Sequence, residues 1–246
     1  MKATDLNQAF NYVDQAYLME ADTPEKENQN MINKKRTFYI FLAAALICLM
    51  SITAYAADLL NIQSYFSGSS KIYDEYSDIG HALAQVGLHA EIPEVFTNGF
   101  RFHSAEVQDV NAMDENGEQV LTFKELIVYY KDEQGQMLAL RLREDLEELP
   151  KDDRAPASTK TVGAVELKFY QDIYRFVPED YQLSQEEKEW ANQPGHYVSY
   201  GADEVQEKIA SFLFWTENGI NYSLMNLGFD AFEADTLFMM AEEMIH

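Results

Sequence analysis

The sequence predicts an α+β domain, an antiparallel β-sheet with helices packed on one face, preceded by one transmembrane helix. Three observations carry this expectation. Thr37 to Ala57 is a run of 21 residues without a charge. From Gly99 onward, apolar alternating segments are separated by short Gly-bearing turns, the pattern of antiparallel strands. Helix-like apolar spacing appears before Gly99 and again near the C-terminus.

The first element is a short helix in ATDLNQAFNYVDQAYLMEAD. Leu6, Phe10, Val13 and Tyr17 fall on one face of it, and Asp5 with Gln8 forms a capping box. Asp22-Thr23-Pro24 ends it, and EKENQNMINKK reads as a linker. One short helix cannot bury that stripe against itself, so it must find a partner, lie on the inner leaflet or remain only partly formed; in the first case Leu6, Phe10, Val13 and Tyr17 are the candidate partner-binding residues. A leaflet-bound helix is disfavoured, since the segment carries Asp5, Asp14 and Glu20 and almost no Lys or Arg.

Next comes the uncharged run. A helix of 21 residues rises about 30 Å, the hydrocarbon thickness of a bilayer. Phe38, Tyr39 and Tyr55 stand near its ends, where amphipathic rings favour the headgroup zone. Lys34, Lys35 and Arg36 precede it and Asp58 follows it, so the positive-inside rule keeps residues 1–36 cytoplasmic and sends 58–246 outside. The rival reading is a signal peptide cut after Ala56, because Ala54-Tyr55-Ala56 has the small-x-small form. A leading segment of 36 residues and an apolar run of 21 are both longer than a signal peptide uses.

The outer 189 residues are enough for one domain, with 145–160 a possible internal boundary. Residues 1–36 hold six acidic and five basic groups, so of the whole-chain charge of −24 all but one unit lies outside. Such a surface repels phosphates and anionic headgroups, which disfavours nucleic acid as a partner; a basic protein or a cation fits it better, and a charge that only keeps the domain soluble is expected ahead of either. Cys48 is the single cysteine and lies in the predicted span, so no disulfide forms within the outer domain.

Along that domain, SGSSK at 67–71 reads as a flexible joint, and SDIGHALAQVGLHA as a helix capped by Ser77 or Asp78. Strands follow at 100–110, 119–131 and in MLALRLRE, where Leu138, Leu140 and Leu142 face inward and Ala139, Arg141 and Arg143 outward. LIVYY at 126–130 is apolar at every position, which marks a central strand covered on both faces. DLEELPKDDRAPASTK, 145–160, is a polar surface connection. VELKFYQDIYRFV is a long strand, LSQEEKEWANQ a short helix, and HYVSYG, EKIASFLFWTE and INYSLM are three further strands, the last two joined at Asn218-Gly219. Asp230 with Glu233 starts a closing helix whose stripe is Phe232, Thr236, Leu237, Met240, Ala241 and Met244.

Catalytic and metal motifs are missing. The five histidines have no HExxH spacing, no cysteine lies outside the span, and GxSxG, SxxK and GxxxxGK[ST] do not occur. No cofactor or catalytic residue is therefore expected, and the chain does not read as an enzyme. The oxygen-rich run 109–118 departs from an EF-hand loop, because Met113 takes a ligand position and Asp114 the glycine position. It reads as a hairpin turn. The aromatic clusters KFYQDIYRF and SFLFW read as core.

IPEVFTNGF (92–100), FWTENGINYSLM (214–225) and DTLFMMAEEMI (235–245) resemble a domain family of unknown function common in membrane-anchored proteins of Gram-positive bacteria. Proteins of this layout look like anti-sigma factors, with a short cytoplasmic segment, one span and an exported sensor domain. The resemblance implies signalling without catalysis and a cytoplasmic partner such as a sigma factor. Residues 1–36 lack the His-x-x-x-Cys-x-x-Cys zinc element of many anti-sigma factors, a departure from that pattern. The competing expectation is an exported binding or carrier module that uses the span only as an anchor.

Overall fold

The computed structural model describes residues 64–114, 116–149, 154–226 and 232–246. The predicted span, 37–57, and the helix bearing Leu6, Phe10, Val13 and Tyr17 lie outside the described residues. Among the described residues no helix is long and apolar enough to cross a membrane.

The fold is mixed α+β, dominated by one sheet of nine strands. These are β1 (Ser64–Tyr73), β2 (Arg101–Met113), β3 (Gln119–Lys131), β4 (Met137–Glu144), β5 (Ser158–Val162), β6 (Val165–Val177), β7 (His196–Tyr200), β8 (Gln206–Glu217) and β9 (Ile220–Asn226). The helices are α1 (Ile79–Val86), α2 (Gln185–Ala191) and α3 (Ala234–Glu242). The order across the sheet is β1-β2-β3-β4-β9-β8-β6-β5, with β7 also on β6.

The expected meander β2-β3-β4 is present, and β3 sits second from its edge strand with both faces covered. Leu126, Val128 and Tyr130 enter a first core with Leu138, Leu140 and Leu142 of β4, while Ile127 enters a second core on the opposite face. Each such leucine contributes roughly 1.5–3 kcal/mol by leaving water. The first core is closed by α1, through Ala82 and Leu83, and by α3, through Leu237, Phe238, Met240 and Ala241. The second core gathers Tyr170, Tyr174, Phe176, Ala210, Phe212 and Met225 around Ile127 and Ala139.

Several expectations need correction. SGSSK is not a joint: residues 64–73 form β1, paired antiparallel with β2 through a bulge between Ser67 and Ser70. A bulge tolerates the small residues that made the stretch look flexible, because ladder bonds come from the backbone. Ala139 faces the second core instead of solvent, since a small side chain fits under the neighbouring Met225 across the β4–β9 pair. The sheet is not wholly antiparallel either. β7 runs parallel to β6, which requires the long crossover 178–195 that carries α2.

Connection 145–160 is less exposed than its polarity suggests. Leu149 is buried, and 158–160 open β5, which hairpins onto β6. The strands before and after this connection belong to one sheet, since β4 pairs with β9. Helix α1 begins after a 3-10 turn at Tyr76–Asp78, so neither Ser77 nor Asp78 caps it by a side-chain bond. Asp230, the expected cap of the closing helix, lies outside the described residues; helix α3 starts at Ala234 after Glu233, which makes no side-chain cap bond, and its buried face includes Phe238 beside the expected stripe. Ser184 does cap α2 in a full capping box with Glu187.

Candidate functional site

The descent from β1 into α1 builds an open groove. β1 ends at Tyr73, whose ring lies in the first core, and the chain turns through Asp74, Glu75 and the 3-10 turn. The Tyr76 hydroxyl pins this turn by donating to the Ile92 carbonyl at 2.6 Å, and its ring meets Phe102 edge-on at 5.6 Å. Burial and then the Glu94 carboxylate raise the Tyr76 pKa, which keeps it a donor. α1 follows because Ile79, Ala82, Leu83 and Val86 share one face toward the sheet. It stops where Gly87 takes a left-handed φ of 73° and Leu88 N–H bonds back to the Leu83 carbonyl at 3.0 Å.

This helix packs across β2 and β3, and its outer flank of His81, Ala84 and Gln85 faces a groove whose other wall is Lys71, Ile72 and Tyr73. Asp74, Glu75 and Asp78 line the same space, which measures about 850 Å³. Ile72 is 62 % exposed. Lys71 Nζ lies 4.7 Å above the Tyr73 ring, and His81 Nδ1 lies 3.5 Å from Asp78 Oδ1. The Tyr73 hydroxyl is buried with no hydrogen-bond partner among the described residues. Three carboxylates against one lysine give the groove a negative field at neutral pH.

Two further polar clusters lie on the second face. Buried Glu125 pairs with Arg141, and nearby the Tyr129 hydroxyl donates to Glu106 Oε2 at 3.3 Å. Burial, and after it Glu106, pushes the Tyr129 pKa strongly upward, so the phenol stays protonated and donating. Asp172, 0 % exposed, takes Arg154 Nη1 at 2.8 Å while that guanidinium lies 5.3 Å from the Tyr170 ring centre. These pairs join strands or tie a connection to the sheet, and neither opens into the groove.

The Ca²⁺ reading of 109–118 meets a plain geometry. Asp114 accepts the backbone N–H of Asn116 and of Glu118, each at 2.8 Å, while Asp109 pairs with Lys124 at 2.6 Å. The carboxylates serve the hairpin. Among the described residues no group of three His, Cys, Asp or Glu side chains is placed to hold a metal ion. The two aromatic clusters divide between the cores, with Phe169 and Trp215 in the first, and Tyr170, Tyr174, Phe176 and Phe212 in the second.

The candidate partner-binding residues Leu6, Phe10, Val13 and Tyr17 lie outside the described residues, so the structure brings none of them to a site. The groove residues were not singled out in the sequence. Their signal was weak but present: KIYDEYSD places three acids and one lysine beside Ile72 and Tyr73 just before a helix. No protein-family model, curated protein or solved structure matches the chain.

Proposed function

We propose that this chain is a single-pass membrane regulator, anti-sigma-factor-like, in which the outer domain senses a ligand and the helix of Leu6, Phe10, Val13 and Tyr17 holds a cytoplasmic partner. One observation supports it beyond the sequence pattern. β1 is at once the edge strand of the sheet, a wall of the groove, and the first strand after the predicted span. Only residues 58–63 separate Ala57 from Ser64, a reach of at most about 25 Å. A molecule that grips the groove therefore acts on the strand to which the span is joined. A sensor needs such a link, and an inert anchor does not.

The test is made in cells with the full chain. Phe10→Asp places a charge in the middle of the apolar stripe and is expected to release the cytoplasmic partner, read by crosslinking from position 17, while membrane insertion stays intact. Unchanged crosslinking in the variant, or no cytoplasmic protein captured by the parent chain, defeats the regulator reading. If residues 1–33 can be replaced without consequence, the chain is a tethered binding module, a reading that the groove also supports.

A further inference from the structure

The geometry points to the β1–α1 groove as a peptide site, in which an extended basic segment of a partner protein adds as a further strand to the free edge of β1. This deepens the reading above and rests on it only for the cellular consequence.

The first support is the edge itself. Among the described residues β1 is the outermost strand and pairs with β2 alone, Lys71 opposite Val107, Ile72 opposite Glu106 and Tyr73 opposite Ala105. In an antiparallel ladder every second residue turns its N–H and C=O away from its neighbour, and on an edge strand those groups have no ladder partner. Among the described residues the backbone of Lys71–Tyr73 makes no hydrogen bond beyond the β2 ladder. Edges are commonly blunted by a covering helix, a proline, a lysine or a bulge; on β1 the bulge lies between Ser67 and Ser70, and Lys71–Tyr73 run in regular register beyond it. Here α1 stands off the edge and leaves a groove of about 850 Å³ between them. A strand beside a helix flank is the arrangement in which strand addition gives affinity through the main chain and selectivity through alternate side chains.

The second support is the lining, which selects the occupant. Asp74, Glu75 and Asp78 present carboxylates, and Lys71 is the cation among the lining residues. Its ammonium is drawn over the Tyr73 ring, 4.7 Å from the centroid. The whole chain adds a background of −24, so an acidic segment is repelled and a basic one is steered in. Ile72, 62 % exposed, points to the face opposite Tyr73 and α1, where it offers an apolar contact to the alternate side chains of an added strand. The fitting ligand is thus an extended stretch with Lys or Arg at alternate positions and β-branched apolar residues between them. A second copy of this chain fits poorly, because two β1 strands would bring together the same acidic groups.

The experiment uses the full chain in nanodiscs of zwitterionic lipid, which do not themselves capture a cationic peptide. The probe is a fluorescein-labelled alternating Lys-Val hexapeptide, followed by anisotropy. Saturable binding is expected. Methylating alternate amides of the peptide should weaken it by about tenfold or more, since that removes the main-chain donors while keeping the charge. Asp74→Lys with Glu75→Lys should weaken it by about tenfold as well, whereas Glu147→Lys with Glu148→Lys, at exposed positions away from the groove, should not. Absence of saturable binding overturns the proposal. So does equal binding of the methylated peptide, which means charge alone, or equal loss in the control pair, which means net charge without a site. A self-associated chain whose 71–73 amides are already protected from exchange also overturns it. None of these outcomes bears on partner release by Phe10→Asp, so the two readings fail separately.

Discussion

At the scale of single residues, the side chain under most constraint is Asp172. It has no exposure and takes Arg154 at 2.8 Å, while a Cβ on Gly195 would come within 3.2 Å of its Oδ1. Removing one partner of a buried pair leaves the other charged and unsolvated, which costs about 3–5 kcal/mol. Asp172→Ala should therefore lower the urea midpoint strongly, whereas Arg154 and Asp172 replaced together by apolar residues should recover much of the loss. Asp114 makes a pH-dependent prediction. The Glu118 N–H, and with it Asn116 and Gly117, holds its carboxyl below the ordinary value. A carboxyl with a folded pKa below its unfolded one adds stability above the unfolded pKa, and that addition is lost as pH falls through the folded pKa. Denaturation of the parent and Asp114→Ala across a pH series should show a gap near neutrality that closes as pH falls through the folded pKa of Asp114.

At the scale of elements, α2 and β6 are the informative cases. α2 spans seven residues, too short to persist without its cap, and Ser184 and Glu187 exchange bonds at its start. Its last turn carries Trp190, stacked on His196 at 4.5 Å with the Arg175 guanidinium 4.4 Å from the ring on which it lies. Ser184→Ala should cost about 1 kcal/mol, and hydrogen exchange should place the loss within 185–191, with the other helices unchanged. β6 behaves differently. Val165, Leu167 and Phe169 enter the first core, and then Tyr170, Tyr174 and Phe176 enter the second. The alternation of period two is kept while the buried face changes sides, at the point where β5 stops pairing and before β7 begins. The hairpin β8–β9 turns at Asn218 and Gly219, with φ of 51° and 75°, the left-handed pair that Asn-Gly supplies with little strain.

At the scale of the whole molecule, the two cores share their strands. β3, β4, β8 and β9 each send residues to both faces, so neither core can open while the other keeps its strands. Leu140→Ala in the first core and Phe212→Ala in the second should each cost about 2–5 kcal/mol. Both should lower one common transition, seen alike by tryptophan fluorescence and circular dichroism. Two separated transitions in either variant would mean that the cores fold independently.

Periodicity and turn residues determined the α+β class, because a strand half-buried on a sheet records its environment in every second residue. β3, β4 and β6 are legible for that reason: QVLTFKELIVYYK, MLALRLRE and VELKFYQDIYRFV fill the observed strands from end to end. The same local chemistry identified the Asn218-Gly219 turn. Tertiary structure alone decided what depends on residues far apart. β1 is a strand because β2 offers its backbone, which no side-chain pattern in SYFSGSSKIY announces. Ala139 is core because Met225 covers it, Arg154 is anchored because Asp172 waits under it, and β7 is parallel because a crossover returns it to β6. The groove belongs to this second kind. Its carboxylates are visible in the sequence, but their meeting with an open strand edge and a helix flank is a product of long-range packing, and long-range packing leaves no local period to read.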